Sequence, residues 1–557
     1  MGSERAASQG STGPGSTGPA GASASASVSG SIGPADADAA ASASASASAS
    51  ASGPAGPAHA DAPASASGPA PSRRPRSVAV IGGGISGLAA AWYAKQALPD
   101  AAVTVFEGSP RLGGKLAVGE VGGVRVDLGA ESILNRRPEA VDLARAVGLA
   151  EDIVHPATAS ASVWNRGELV PMPKGHLMGV PGDPRVLAGL LSTAGLKRAE
   201  AGPTLPPRSL LRVEAETDDV AVGGFVAERF GREVVDRLVE PLLGGVYAGH
   251  ADEISLRAAI PALVPAYESG EPLDEAVSKI LAAQAGAANP KPVFAGIRGG
   301  VGRFPAALAQ SCESAGVAIR RETMVRELSR TAEGWRLVCG PVPAARAHEF
   351  DAVIIAVPGT PAARLLTDVA PAAAAELAGI EYASVALATF VFDDAALPAG
   401  SGFLVPPADD RFIKASTFSS VKWSWLAASG KTVVRASVGR HRETADLQRA
   451  DNELAALALA DLRTALGPDA LGEPVDSFVQ RWGGGLPQYA VGHVARVERI
   501  RSAVAAQPGL AVCGAAYDGV GIAACVASAL RAAGEISTGA IGTGAIGTGA
   551  HNNPQHP

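Results

Sequence analysis

Apolar residues gather along this chain in short runs that stop at glycines, and the runs alternate with alanine-rich stretches. Ser77–Ile81 reads Ser-Val-Ala-Val-Ile, an unbroken run that predicts a strand buried on both faces. Residues 88–98 predict a helix, Pro99-Asp100 a turn, and residues 103–107 (Val-Thr-Val-Phe-Glu) a second strand. Far downstream, residues 510–514 predict another strand, followed by glycines and a helix over 523–533. Between these ends, residues 316–319, 323–325, 335–338 and 351–358 predict successive strands, and Pro138 opens a helix over 139–148. The pattern stops at both termini. From Met1 to Pro71 the only apolar side chains larger than alanine, proline aside, are Met1, Val28 and Ile32. Such a stretch buries too little surface to offset chain entropy, so residues 1–74 are expected to be disordered. The Ile-Gly-Thr-Gly-Ala repeats near the other end predict a flexible tail over 537–557.

Composition narrows the function classes. The 557 residues carry a formal charge of −7, which argues against a nucleic-acid partner held by a general basic surface. Residues are 47% hydrophobic but only 4% aromatic, so alanine supplies much of the apolar count. The amino-terminal stretch lacks the basic start and apolar run of an export signal, and Arg5 is its only arginine before Arg73, unlike a transit peptide. No apolar run reaches the roughly 18 residues of a spanning helix. Cys312, Cys339, Cys513 and Cys525 are scattered without a Cys-x-x-Cys pair, and the nine histidines form no metal-binding motif. The expectation is a cytoplasmic protein without metal chemistry.

The glycines carry the candidate chemistry. Residues 82–87 (Gly-Gly-Gly-Ile-Ser-Gly) fit Gly-x-Gly-x-x-Gly directly after a strand and before a helix, and Glu107 ends the next strand. Gly82 permits a tight turn, Gly84 lets backbone approach a pyrophosphate, and Gly87 lets the helix pack close to the sheet. The helix start offers free N–H groups to phosphates, and the Glu107 carboxylate suits ribose hydroxyls. This favours FAD or NAD over NADP. Two further glycine turns, Gly108 to Lys115 and the segment ending Gly129-Ala130-Glu131-Ser132, exceed what a simple NAD dehydrogenase needs. Val520-Gly521-Ile522 opens a second helix whose start suits negative charge on a reduced flavin.

With these residues the chain resembles the flavin-dependent porphyrinogen oxidases of haem synthesis, in the branch found in Gram-positive bacteria. The resemblance runs from about Ser77 to Ile536 and rests also on residues 131–137 (Glu-Ser-Ile-Leu-Asn-Arg-Arg), 171–175 (Pro-Met-Pro-Lys-Gly), 240–249, 481–482 with 487–489, and 517–522. It implies an α/β fold (α+β overall) with a discontinuous Rossmann-like FAD-binding domain over 75–140, 289–370 and 501–536. A mainly helical substrate-cleft domain over 141–288 and a β-rich substrate domain over 371–500 complete it. It implies non-covalent FAD held by Gly82, Gly83, Gly84, Ile85, Ser86, Gly87, Glu107, Gly108, Lys115, Gly129, Ala130, Glu131, Ser132, Val325, Trp482, Val520, Gly521 and Ile522. Val325 would act through its backbone.

The implied reaction is oxidation of coproporphyrinogen III to coproporphyrin III, six electrons in three cycles, each ending in H2O2 from O2. The cofactor would carry the hard step, so no general base is nominated. Arg137, with Arg136 beside it, falls where the family holds a substrate propionate; a solvated pair at a helix start is the alternative. Lys174 is a weaker candidate. Trp482, Tyr247 and Tyr489 are candidates to line the cavity, with core packing the alternative for the tyrosines. Protoporphyrinogen IX remains the alternative substrate, and an amine oxidase or a non-catalytic binding protein on the same fold the more distant readings. Expected partners are the porphyrinogen and O2, with transient contact to neighbouring haem-pathway enzymes. Membrane contact would be at most peripheral, through an apolar face around residues 187–196.

Overall fold

The computed structural model describes residues 74–202, 219–285, 292–467 and 469–538. The expected disordered leader, up to residue 73, and the tail from 539 lie outside the described residues; residues 537 and 538 still belong to the last helix, Ile522–Thr538.

A five-stranded parallel sheet draws its strands from three distant parts of the chain. In spatial order they are Ala318–Arg320, Ala102–Phe106, Ser77–Ile81, Ala352–Ile355 and Leu510–Val512. The central strands are apolar along their length because both faces are covered. Val78, Val80, Val103 and Val105 pack under the helices Ile85–Ala97, Ile522–Thr538 and Phe304–Ser314. Ala79, Ile81, Val353 and Ile355 pack against Gly359–Leu366, Pro371–Ala378 and His493–Ala505. The helix expected over 139–148 is α-helical only over Pro138–Ala144; it continues as a wider turn to Leu149, broken at Gly148 where φ is +85°.

A second, seven-stranded sheet has the order Asp476–Pro487, Tyr382–Phe392, Thr432–Val438, Ala415–Phe418, Gly402–Leu404, Ser162–Asn165, Glu168–Pro171. Its last two strands are a hairpin from the 141–288 stretch expected to be mainly helical. The hairpin joins this sheet because Trp164 buries against Phe403, ring centroids 6.0 Å apart. The long central strand alternates. Ala386, Ala388, Phe390 and Phe392 pack toward the Asp451–Leu466 helix, leaving Val385 and Leu387 for the opposite face. Around Val222–Phe230, Glu240–Tyr247 and Leu273–Ala285 lies a third, helical core. Leu187, Leu190 and Leu191 are buried within it, so the apolar face considered for membrane contact points inward. No helix among the described residues is long and apolar enough to cross a membrane.

Candidate active site

A cavity of about 720 Å3 lies where the glycine turns of the parallel sheet meet the large sheet and the helical core. Thirteen residues expected from the sequence line it: Gly82, Gly84, Ile85, Ser86, Glu107, Lys115, Gly129, Ala130, Glu131, Trp482, Val520, Gly521 and Ile522.

The glycines divide by what a methyl group would meet. At Gly87 it would sit 1.8 Å from the Gly82 carbonyl oxygen, so this residue seats the helix on the end of the strand. Gly82 holds φ +112° beside the Ala356 carbonyl, a conformation only glycine adopts readily. At Gly84 the nearest heavy atom would be the Gly114 Cα at 3.9 Å, and at Gly521 nothing lies within 4 Å. These two positions leave backbone bare toward the cavity. Gly84 caps Ile85–Ala97 without a side-chain hydrogen bond, so the first-turn N–H groups are free for an anion. The Cys525 N–H donates to the Gly521 carbonyl, so the second helix also starts at the cavity wall.

Glu107 is held by local backbone. The Gly83 N–H donates to Oε2 at 2.7 Å and the Ser109 N–H to Oε1 at 2.7 Å. Gly129 touches the Lys115 carbonyl so closely that a methyl would lie 2.1 Å from it, and the Trp482 indole donates to the Leu128 carbonyl at 3.0 Å. These contacts tie both glycine segments and the large sheet together.

Glu131 does more than line the wall. Its carboxylate pairs with Lys422 Nζ at 2.7 Å and Arg435 Nη1 at 2.8 Å, and accepts from Ser419 Oγ at 3.0 Å. Arg435 also donates to the Gly129 carbonyl at 2.6 Å, and Lys422 to the Ser132 hydroxyl at 2.8 Å. Burial pushes the Glu131 carboxyl up, but Lys422 and Arg435 outweigh it and hold it at about 2. The side chain therefore fastens the flavin-type segment to the large sheet. Arg435 itself lines the cavity, and its buried Nε has no hydrogen-bond partner.

Other expected residues lie outside the lining. Gly83 and Gly87 act through packing and the Glu107 contact; Gly108 backs onto Met324, and Val325 opens the strand Val325–Arg330. Ser132 serves the Lys422 contact. Arg136 is exposed, near the Gln284 amide oxygen at 3.4 Å. Arg137 precedes the helix Pro138–Ala144 and pairs with Glu139 at 2.9 Å. Tyr247 and Tyr489 pack in the helical core, with Tyr489 stacked on His493 at 3.9 Å and its hydroxyl donating to the Ala515 carbonyl.

The residues that sequence reasoning missed include Tyr382, Leu387, Lys414, Thr417 and Arg435, all on or beside the large sheet. A signal existed for Arg435, a lone charge inside the apolar strand Thr432–Val438. Cys525 also lines the cavity, and burial pushes its thiol above the ordinary range. Among the described residues no group of three His, Cys, Asp or Glu gathers for a metal ion.

Comparison with known proteins agrees with this geometry. The family model for flavin containing amine oxidoreductase matches residues 85–537. A coproporphyrinogen III oxidase of Mycobacterium tuberculosis H37Rv is 38% identical over 463 residues, covering 82% of this chain and 96% of that protein. The coproporphyrinogen III oxidase of Bacillus subtilis strain 168 is 32% identical over 464 residues, covering 81% and 96%. A crystal structure from Exiguobacterium sp. 255-15, provisionally named a protoporphyrinogen oxidase, superposes with a TM-score of 0.71 at 32% identity, covering 83% of this chain and 99% of that one. With its cavity walled by both glycine turns and both helix starts, the chain belongs to the flavin-containing amine oxidoreductases and, among them, to the porphyrinogen oxidases.

Proposed function

We propose that this chain binds FAD non-covalently in the cavity and uses it to oxidise coproporphyrinogen III to coproporphyrin III with O2 as acceptor. The observation that carries the reading is the match to coproporphyrinogen III oxidases over nearly their whole length. Bound there, FAD supplies two-electron oxidation and passes the electrons to O2.

The residues present fit that cofactor. The bare backbone at Gly84 and Gly521 leaves room for close approach, and the uncapped start of Ile85–Ala97 faces where the pyrophosphate would lie. Glu107 keeps its carboxylate oriented for ribose hydroxyls through Gly83 and Ser109. Trp482, Gly129 and Arg435 wall the section beyond, and the buried Arg435 Nε is a donor awaiting an acceptor. Cys525 remains a protonated thiol at neutral pH, which favours non-covalent attachment. Val385, Leu387 and Thr417 give a flat, largely apolar floor suited to a tetrapyrrole. The chain's task is orientation and exclusion of water rather than proton abstraction by a dedicated pair. Arg137, with Arg136 beside it, is our candidate contact for a propionate, on the resemblance of its segment to the family. We infer a cytoplasmic protein whose product passes to the next haem-pathway enzyme by transient contact.

The test is anaerobic preparation of both porphyrinogens and comparison of kcat/KM for the purified protein. Higher kcat/KM for coproporphyrinogen III is expected. Preference for protoporphyrinogen IX would favour the second reading, in keeping with the provisional name of the Exiguobacterium relative, a protoporphyrinogen oxidase. Protein without flavin absorbance would refute both.

A further inference from the structure

Lys414 is a cavity-lining lysine that sequence reasoning did not single out. It is 6% exposed, and among the described residues its ammonium makes no ion pair and no hydrogen bond. Its backbone is pinned on both sides: its N–H donates to the Ser437 carbonyl, and its carbonyl accepts from Val405. It stands one residue before the strand Ala415–Phe418, whose Thr417 pairs in register with Arg435. Arg435 is the residue bonded to Glu131 and Gly129. Three residues of extended chain set Lys414 roughly 10 Å along the strand from Thr417, the partner of Arg435. On this side the cavity is closed by Gly245 and Val246 of the Glu240–Tyr247 helix, near Leu404.

A lysine this buried whose ammonium has neither ion pair nor hydrogen bond is costly to keep charged, and a carboxylate arriving in the cavity would offset that cost. The nearby cation Arg440 is already engaged, donating to the Val405 carbonyl at 3.2 Å and lying 3.8 Å from Glu443. Lys414 makes no such close contact, and Glu443 acts on it only from beyond ion-pair distance. A tetrapyrrole lying along the floor from the flavin segment would bring a peripheral side chain to this point. We propose that Lys414 is a carboxylate subsite, holding a propionate of the porphyrinogen on the edge farthest from the flavin. This rests on the functional reading above and adds a second cation to the one sought at Arg137. Burial lowers the Lys414 ammonium to about 7, with Arg440 adding to the effect and Glu443 opposing it. An arriving carboxylate would reverse that shift and bind the charged form. A proton acceptor for the reacting ring would instead be needed beside the flavin segment.

The test uses the flavin-loaded enzyme and its Lys414→Met, Lys414→Gln and Lys414→Arg variants. Binding of coproporphyrin III and of its tetramethyl ester is followed by fluorescence, alongside steady-state kinetics with coproporphyrinogen III. Methionine and glutamine should weaken coproporphyrin III and raise KM by about ten-fold or more, while kcat, ester affinity and flavin content stay within about two-fold. Arginine should restore most of the affinity. Unchanged coproporphyrin affinity in the methionine and glutamine variants would overturn the subsite. So would a fall in kcat at constant KM, which marks a proton-transfer role, or loss of flavin, which marks a cofactor contact. A wild-type enzyme that neither binds coproporphyrin III nor oxidises the porphyrinogen removes the functional reading and this subsite together. Wild-type binding with indifferent variants removes the subsite alone.

Discussion

Gly84→Ala separates a glycine kept for a ligand from one kept for the fold. Gly84 has φ −73° and ψ 179°, which alanine adopts without strain, and an added methyl would meet nothing nearer than Gly114 Cα at 3.9 Å. The protein without cofactor should therefore lose less than about 1 kcal/mol, the modest difference between glycine and alanine at a helix cap. The methyl would project into the space where the pyrophosphate is expected. Crowding of that kind costs about 1–3 kcal/mol, which weakens FAD binding between about 5-fold and about 150-fold. Gly87→Ala is the contrast. There the methyl would lie 1.8 Å from the Gly82 carbonyl oxygen and 3.3 Å from the Ala356 Cβ. Helix and strand must part, so the apoprotein should lose more than about 3 kcal/mol. The assays are thermal unfolding of apo and FAD-loaded protein and FAD titration by quenching of flavin fluorescence. If Gly84→Ala binds FAD like the wild type, the space at Gly84 is not the cofactor's path, and the reasoning from bare backbone fails.

Glu107→Ala removes the acceptor for two backbone N–H groups and the candidate ribose contact; flavin content after purification should fall and FAD affinity drop by about ten-fold or more. Glu131→Gln should cost about 3–5 kcal/mol at neutral pH, because it leaves Lys422 and Arg435 buried with reduced counter-charge. Its acid behaviour has a definite sign: the folded carboxyl sits at about 2 against an ordinary 4.5, so its contribution is present above pH 4.5 and lost as pH falls toward 2. That window corresponds to about 3 kcal/mol, and Glu131→Gln should show a correspondingly flatter unfolding profile across it. Acid precipitation should release the yellow cofactor into solution, since the Cys525 thiol is protonated; colour remaining in the pellet would establish a covalent link. Arg137→Ala should raise KM for coproporphyrinogen III and leave flavin content intact, whereas loss of flavin would make the arginine's pairing with Glu139 its main role.

Local chemistry made the glycine-turn half of the cavity legible. Strand, glycines, helix and acid occur within a short stretch, so their spacing alone brings Gly82, Gly84, Gly87 and Glu107 together. The same holds for Val520 to Ile522 at the start of the last helix. The half walled by the large sheet was much less legible, because its floor comes from alternate residues of strands whose pairing joins distant segments. Leu387 pairs with Ser437, and Ala415 with the same Ser437; only that register turns Leu387, Ala415, Thr417 and Arg435 toward one wall.

The sequence by itself determined the glycine turns and helix starts that wall the cavity, the parallel sheet around them and the family, since each rests on contiguous residues with fixed geometric demands. It could not decide which charges serve the cofactor and which serve the fold. Glu131 reads as a cofactor contact, and only the fold shows its carboxylate also paired with Lys422 and Arg435. Arg137 reads as a substrate contact and the fold adds its pairing with Glu139, while Lys414 goes unnoticed until the fold brings it to the cavity wall. Ion pairing depends on distances across the fold, and those distances exist only once the sheets and helices have packed.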